Sequence, residues 1–351
     1  MVDNIIPKKE EEKPYISVII TAFNRRDFLP RAIESVAKQT LSKDYYEVFV
    51  IKNFEDQLID HLIDKYNFKS INLSTEEMKI IGKYVIDTVK KVNGKVICIL
   101  EDDDYFFPER LEIILKEFKE NENLGYFHNN LKFINEKGMD IKVFMQKQID
   151  RDIILNKDRK NTFNFGKYLK YGINFNVSSI AIKKDIILQQ EKILVNLRSI
   201  LDYFFFYSAL LSDYDLMFSS KILTAYTVHE SDSRPYSEDM EDYYRKLENL
   251  LFKYIEISNL NLELTKGTPY EIFAHFEIFN DKVRLYMCNK KNKLDMRYVF
   301  KNVQKLLKYN KILSFKLLTY YFLSSIFPNF TKIIYYEIKM FAARNYKGEG
   351  R

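Results

Sequence analysis

Four consecutive carboxylates, Glu101-Asp102-Asp103-Asp104, follow the apolar run Lys95-Val96-Ile97-Cys98-Ile99-Leu100 and precede Tyr105-Phe106-Phe107-Pro108. Adjacent acids at the mouth of a buried strand repel one another, and a fold tolerates them when a cation sits between them. A hard divalent ion with open coordination positions also holds a diphosphate. The same run equally suits a solvated acidic turn ahead of a helix that starts past Pro108, because acids are favourable near a helix N-terminus. Both readings stay open on these residues alone.

Composition narrows the chemistry. The 351 residues, 46% of them hydrophobic, supply a folded core for one large α/β domain with an extension, or for two domains. Only 9 glycines are present, and neither a P-loop nor a dinucleotide-binding fingerprint occurs. Cys98 and Cys288 are too few and too far apart for a disulfide scaffold, and Cys98, in an apolar run, reads as a buried thiol. The 4 histidines show no paired Cys/His spacing, which argues against structural zinc.

The elements that must position the acids alternate in type. Tyr15-Ile16-Ser17-Val18-Ile19-Ile20 predicts a strand, Thr21-Ala22-Phe23-Asn24-Arg25 a loop, and the spacing of Leu29, Ala32, Ile33 and Val36 a helix. Strands follow at Val48–Ile51 and Ile71–Leu73, with a helix from Gln57 to Tyr66 between them. A helix over Lys79–Val92, closed by Asn93-Gly94 as a C-cap, leads into the strand that ends in the acids. Beyond Pro108, a helix through Leu111, Ile114 and Phe118 precedes Gly125-Tyr126-Phe127-His128, whereas residues 142–172 carry no readable pattern. Strands are expected at Asn176–Ile182 and Leu223–Val228, with a helix over Asp202–Leu211, and long helices follow Tyr236 with breaks at Gly267-Thr268-Pro269 and Pro328. This alternation predicts a doubly wound sheet, in which ligands bind beyond the carboxyl ends of the strands. The loops at Thr21, Lys52 and Glu101 all leave such ends.

With these pieces in order, the chain resembles inverting family 2 glycosyltransferases of the GT-A fold. Ser17 to Arg25 looks like the family's opening strand and nucleotide loop, Gly82-Lys83 to Gly94-Lys95 like the helix and turn before the acidic strand, and Ile99 to Leu111 like its acidic motif. Ser178-Ser179 resembles the acceptor-side strand, and Tyr226 to Ser233 the late histidine motif. The resemblance, covering about residues 15 to 235, implies a mixed α/β sheet and a metal-dependent sugar transfer from a nucleotide-diphosphate sugar. It assigns Thr21, Ala22, Phe23, Asn24, Arg25, Asn53, Lys83 and Asp102 to the nucleotide, and Asp103, Asp104 and His229 to Mn²⁺ or Mg²⁺. His229 also has an ordinary structural reading after a strand. Asp103, on the rim, is expected to contribute little to the core.

Inversion needs a base opposite the leaving diphosphate, and Asp202 stands where the family carries it. The alternative role for Asp202 is a helix N-cap. Asp213 and Asp215 read as a turn, and Asp239 and Glu238 are next in line as bases. The family commonly places a pair of acids after the second strand, and here that place holds Lys52-Asn53. A UDP- or GDP-sugar is the expected donor and a glycan or lipid-linked glycan the expected acceptor. Two rivals are a catalytically silent glycan- or membrane-binding protein on the same fold and a nucleotidyltransferase, the latter weakened because the loop at Thr21 lacks glycine.

Charge is uneven. The net charge is +6, yet residues 301–351 hold ten lysines and arginines against Glu337 and Glu349. The apolar run Ile312–Phe327 is interrupted by Lys316 and stopped at Pro328, short of the roughly 20 residues a spanning helix needs. An anionic membrane surface is therefore expected as partner rather than nucleic acid, with the protein peripheral at the cytoplasmic face. The C-terminal helices are also the candidate oligomer contact. The domain expectation is a flexible arm over residues 1–13, a GT-A domain over 14–235 and a helical extension over 236–351.

Overall fold

Strand β1 (Ile16–Ala22) is buried along its whole length and lies between parallel neighbours β2 (Tyr46–Lys52) and β4 (Val96–Glu101). Its largely apolar sequence, ISVIITA, follows from having both faces covered. The two-residue period sends Val18 and Ile20 into one core layer and Ile19 into the other. The computed structural model describes residues 14–141, 148–162, 171–229, 236–308 and 310–347. The expected N-terminal arm and Glu230 to Ser233 of the histidine motif lie outside these described residues.

Among the described residues nine strands form one mixed sheet in the order β3-β2-β1-β4-β8-β6-β9-β5, with β7 also paired to β9. The remaining strands are β3 (Lys69–Asn72), β5 (Tyr105–Phe106), β6 (Leu124–Asn135), β7 (Ile153–Leu155), β8 (Ile180–Lys183) and β9 (Asp215–Val228). β3, β2, β1 and β4 run parallel, β8 is antiparallel to β4 and β6, and β6 pairs parallel with β9. Register aligns Thr21 with both Ile51 and Glu101. The loops after β1, β2 and β4 therefore emerge together at one rim.

Helices cover both faces. On one side α1 (Leu29–Ala37), α2 (Gln57–Lys65) and α5 (Arg110–Glu120) bury their apolar stripes. On the other pack α3 (Thr75–Met78), α4 (Ile81–Lys91), α7 (Lys184–Gln189), α8 (Glu191–Leu194) and α9 (Leu201–Leu211), while α6 (Lys157–Thr162) follows β7. Gly82 lets α4 approach this layer, since a Cβ there would lie 1.6 Å from the Leu194 carbonyl oxygen.

Several expected elements are corrected. The helix expected over Lys79–Val92 is α4, and a capping box of Ser74 and Glu77 starts the separate short turn α3 just ahead of it. Gly94 is no left-handed cap: α4 ends at Lys91 with Val92 as its C-cap, and a Cβ on Gly94 would lie 2.5 Å from the Ser17 nitrogen, so close backbone approach explains the glycine. Residues 177–179 form a 3₁₀ turn, and the expected strand is confined to β8. The strand expected from Leu223 begins at Asp215, because pairing with β6 carries the whole segment.

The last third is helical: α10 (Met240–Thr265), α11 (Glu271–Cys288), α12 (Met296–Leu307), α13 (Lys311–Ile326) and α14 (Pro328–Lys347). Gly267, at φ 76°, makes the expected break after α10, and Pro328 starts α14. These helices are seated on the sheet domain: Ile257 and Tyr270 enter its core, and Tyr207 of α9 donates a 3.0 Å hydrogen bond to Glu277 of α11.

Candidate active site

The rim of β1, β2 and β4 assembles the acids first. The Asp102 nitrogen donates to the Thr21 carbonyl (3.1 Å), and the Glu101 nitrogen donates to Ser178 Oγ (3.1 Å). Arg31 Nη2 holds the Asp103 carbonyl at 2.8 Å and Thr227 Oγ1 at 2.7 Å. Asp104 accepts the Thr227 nitrogen (3.0 Å) on Oδ1 and Asn176 Nδ2 (2.7 Å) on Oδ2. The acidic run is thus pinned to β1, β9 and the turn before β8, three segments distant in sequence.

Two cations or potential cations face it. Arg25 places Nη1 2.5 Å from Asp103 Oδ2 and Nη2 2.6 Å from Asp102 Oδ1. His229, delivered by the end of β9 and stacked on Phe28, sets Nε2 2.7 Å from Asp103 Oδ2. Burial would raise the Asp103 carboxyl, but the His229 hydrogen bond and the Arg25 charge bring it below the usual carboxylate range. Burial pushes Asp102 up to about 8 despite Arg25, and burial with the nearby Asp103 charge pushes Asp104 up to about 7. Glu101 is raised as well, by burial and then by Asp103 and Asp104.

The donor set fits a hard divalent cation. One carboxylate oxygen from each of Glu101, Asp103 and Asp104 lies within 4.8 Å of the others. Asp103 Oδ1 and Asp102 Oδ2 are buried without a hydrogen-bond partner, a costly arrangement for carboxylates that a cation would relieve.

The candidate base sits beside this cluster. Asp202 lies buried in the first turn of α9, and burial pushes its carboxyl up to about 6. Its Oδ2 accepts the Asn176 nitrogen at 2.7 Å and its Oδ1 the Tyr203 nitrogen at 3.0 Å. The helix N-cap is Ile200, so the capping role considered for Asp202 does not hold. Ile200 has φ 58°, a conformation that costs a β-branched residue about 1–2 kcal/mol and that is sustained only by the packing around it.

The remaining expected residues divide. Thr21 and Ala22 close β1, and Phe23 is exposed at the rim. Asn24, at φ 56°, exchanges two 2.8 Å hydrogen bonds with Asn53, which also donates to Thr75 Oγ1. Asn53 therefore locks the first loop to the second. Lys52 is fully buried and pairs with Asp60 at 3.0 Å. Lys83, on the exposed side of α4, pairs with Asp87 rather than with any acid of the cluster. Asp213 is exposed and pairs with Lys157, and Asp215 opens β9.

Three residues of the site were not singled out individually as contacts: Glu101 as a metal-type donor, Arg31, and Asn176. Asn176 joins the candidate base to the acidic motif through one backbone and one side-chain donor. Its signal was available, because asparagine is the residue that replaces glycine at left-handed positions, and Asn24, Asn67 and Asn176 all occupy them here. Asn176→Gly preserves the backbone freedom but deletes the Asp104 bond. It is expected to lower stability by about 1–3 kcal/mol, the usual cost of leaving a buried carboxylate short of a donor, measured by urea unfolding.

Residues 17–182 match the model of glycosyl transferase family 2. The chain is 27% identical over 242 residues to an uncharacterized glycosyltransferase of Methanocaldococcus jannaschii, covering 67% of this chain and 79% of that one. It spans 18% to 32% of the length of the next curated relatives. Among solved structures, S. aureus TarS 1–349 superposes with TM-score 0.50 at 18% identity, covering 83% of this chain and 80% of that one. The mannosyltransferase PcManGT from Pyrobaculum calidifontis, in complex with GDP-Man and Mn²⁺, gives TM-score 0.50 at 11% identity over 97% of this chain and 89% of that one. At these identities the superpositions carry the fold alone.

Proposed function

We propose that this chain, a family 2-like glycosyltransferase, moves a sugar from a nucleotide-diphosphate donor to an acceptor hydroxyl in a single inverting displacement. The observation that carries the reading is the bridge through Asn176, which holds Asp104 and Asp202 at 2.7 Å each and so fixes a desolvated carboxylate beside the acidic cluster. Asp202 takes the proton from the acceptor hydroxyl. Asp102 and the loop Thr21-Ala22-Phe23-Asn24-Arg25 hold the nucleotide, with Lys83 as a further contact and Asn53 shaping the loop. Asp103 and Asp104, with His229 and Glu101, are the residues that would hold Mn²⁺ or Mg²⁺, which when bound stabilises charge on the departing diphosphate. Arg25, already between Asp102 and Asp103, is placed to compensate the same charge.

We assign residues 14–235 to the catalytic domain and 236–351 to a helical extension. The donor class is a UDP- or GDP-sugar, the second in keeping with the GDP-Man bound by the mannosyltransferase above. The acceptor is a glycan or a lipid-linked glycan, reached by a protein peripheral at the cytoplasmic face of a membrane.

A panel of nucleotide sugars screened by thermal shift with Mn²⁺, followed by acceptor-free hydrolysis, tests the assignment. One UDP- or GDP-sugar is expected to stabilise the fold by about 2.7 kcal/mol at a hundredfold excess over its Kd, and only with metal. Stabilisation without hydrolysis would favour a silent binder, a reading encouraged by Lys52 and Asn53 standing where acids are common. No metal-dependent stabilisation by any donor would overturn the proposal.

A further inference from the structure

Helices α13 and α14 each bury one face against the protein and leave an apolar stripe on the other. On α13 the positions facing the protein are Ser314, Leu317, Tyr321 and Ser324, and both serines are buried. The opposite face carries Ile312, Phe315 and Ile326, and α14 continues it with Phe330, Ile338 and Phe341. These six side chains are between 58% and 84% exposed. Their spacing follows the helical repeat, so they form stripes rather than scattered apolar residues. Both buried faces turn toward α11: Leu317 and Tyr321 meet Phe279 and Val283, while Tyr335, Tyr336 and Met340 meet Leu285, Met287 and Cys288. The apolar stripes consequently point away from the rest of the molecule, and the two helices touch through Tyr320 and Tyr335.

We infer that this double stripe is a docking face for an anionic lipid bilayer, into which the two helices lie shallowly rather than span. The inference rests on the proposed membrane-side glycosyltransferase and names the surface that would bring it to a lipid-linked acceptor. Charge selects the occupant. From Met296 to Arg344 the chain has nine lysines and arginines against Glu337, with Arg344 paired to Glu238. A second copy meeting this face would set like charges against each other around the apolar contact, which opposes self-association. A nucleic acid would match the charge and leave the isoleucines and phenylalanines in water. Anionic lipid satisfies both features at once. Among the described residues no helix is long and apolar enough to cross a membrane, which agrees with an interfacial depth.

The test uses the full chain and a variant carrying Ile312→Ser, Phe315→Ser, Ile326→Ser, Phe330→Ser and Ile338→Ser, all at exposed positions. Flotation with phosphatidylglycerol/phosphatidylcholine vesicles and with pure phosphatidylcholine is measured at two salt concentrations, with Tm and nucleotide-sugar thermal shift recorded for both proteins. The wild type is expected to float with the anionic vesicles. The variant should lose about tenfold or more in partitioning at unchanged Tm, because five large apolar groups no longer leave water. Equal flotation of the two proteins, or no flotation of the wild type, would overturn the docking face. A wild-type dimer that the variant converts to monomer, without vesicle binding, would assign the stripe to a second copy instead. Donor binding without flotation removes only this inference, and flotation without donor binding removes only the catalytic proposal.

Discussion

Asp202→Asn is expected to lower turnover by about two to four orders of magnitude while leaving donor and metal binding in place, the share typical of one positioned base. The substitution is nearly isosteric. An asparagine oxygen can still accept the Asn176 nitrogen, now 2.7 Å from the carboxylate, so the turn before β8 keeps its anchor. What disappears is the capacity to take a proton. Since burial pushes Asp202 up to about 6, the wild-type rate should be flat above that pH and fall about tenfold per pH unit below it, as the base becomes protonated. Rates over pH 5 to 8 should show this acid limb in the wild type and not in the variant. Activity retained within a few-fold would remove Asp202 as base. The two reserve candidates are poorly placed to replace it: Asp239 caps α10 through the Asp242 nitrogen at 2.7 Å, and Glu238 is engaged by Arg344 at 2.8 Å.

Asp103→Asn is expected to abolish Mn²⁺-dependent donor binding, weakening the donor by about a hundredfold or more, beyond the loss seen when only a supporting residue of a metal site is removed. Asp103 is the focus of the cluster. Its Oδ2 meets both Arg25 and His229, and its Oδ1 is buried without a partner. The expectation that this rim carboxylate contributes little to the fold does not survive the structure, because the residue is only 9% exposed and pairs with two basic groups. An asparagine oxygen can still accept from Arg25, so the folded state should lose about 1–3 kcal/mol rather than collapse. Glu101→Gln, outside the Arg25 pairing, provides a second variant of the cluster, with urea unfolding recorded for both. Calorimetry of donor binding with and without Mn²⁺ decides the matter. Donor affinity that is unchanged in Asp103→Asn, and still metal-dependent, would discard Asp103 as a ligand.

The sequence by itself determined the elements with a strong period and the polarity of the site. Runs rich in β-branched residues at Ile16–Ile20 and Val96–Leu100 read as strands, the second as fully buried, and they are the parallel centre of the sheet. Acids following such a strand place charge at its carboxyl end whatever the tertiary details, so Asp102, Asp103 and Asp104 were legible before any coordinates. The apolar run Ile312–Phe327 was legible as well, though not which of its residues face water. Only the tertiary structure decided matters that depend on contact between distant segments. His229 and Asp103 stand 126 residues apart in the chain and 2.7 Å apart in space, a proximity that β9 pairing alone creates. An asparagine at Asn176 hints at a left-handed turn, but its connection of Asp104 to Asp202 is made only by segments distant in the chain. Gly94 looked like a helix cap because sequence records that a side chain is missing but not what occupies its place, here the backbone of Ser17. The same limit explains the C-terminal helices: periodicity gives a helix with an apolar stripe, while the direction of that stripe is set by which face wins the contact with α11. On α13 the winners were serine, leucine and tyrosine, and isoleucine and phenylalanine were left facing outward.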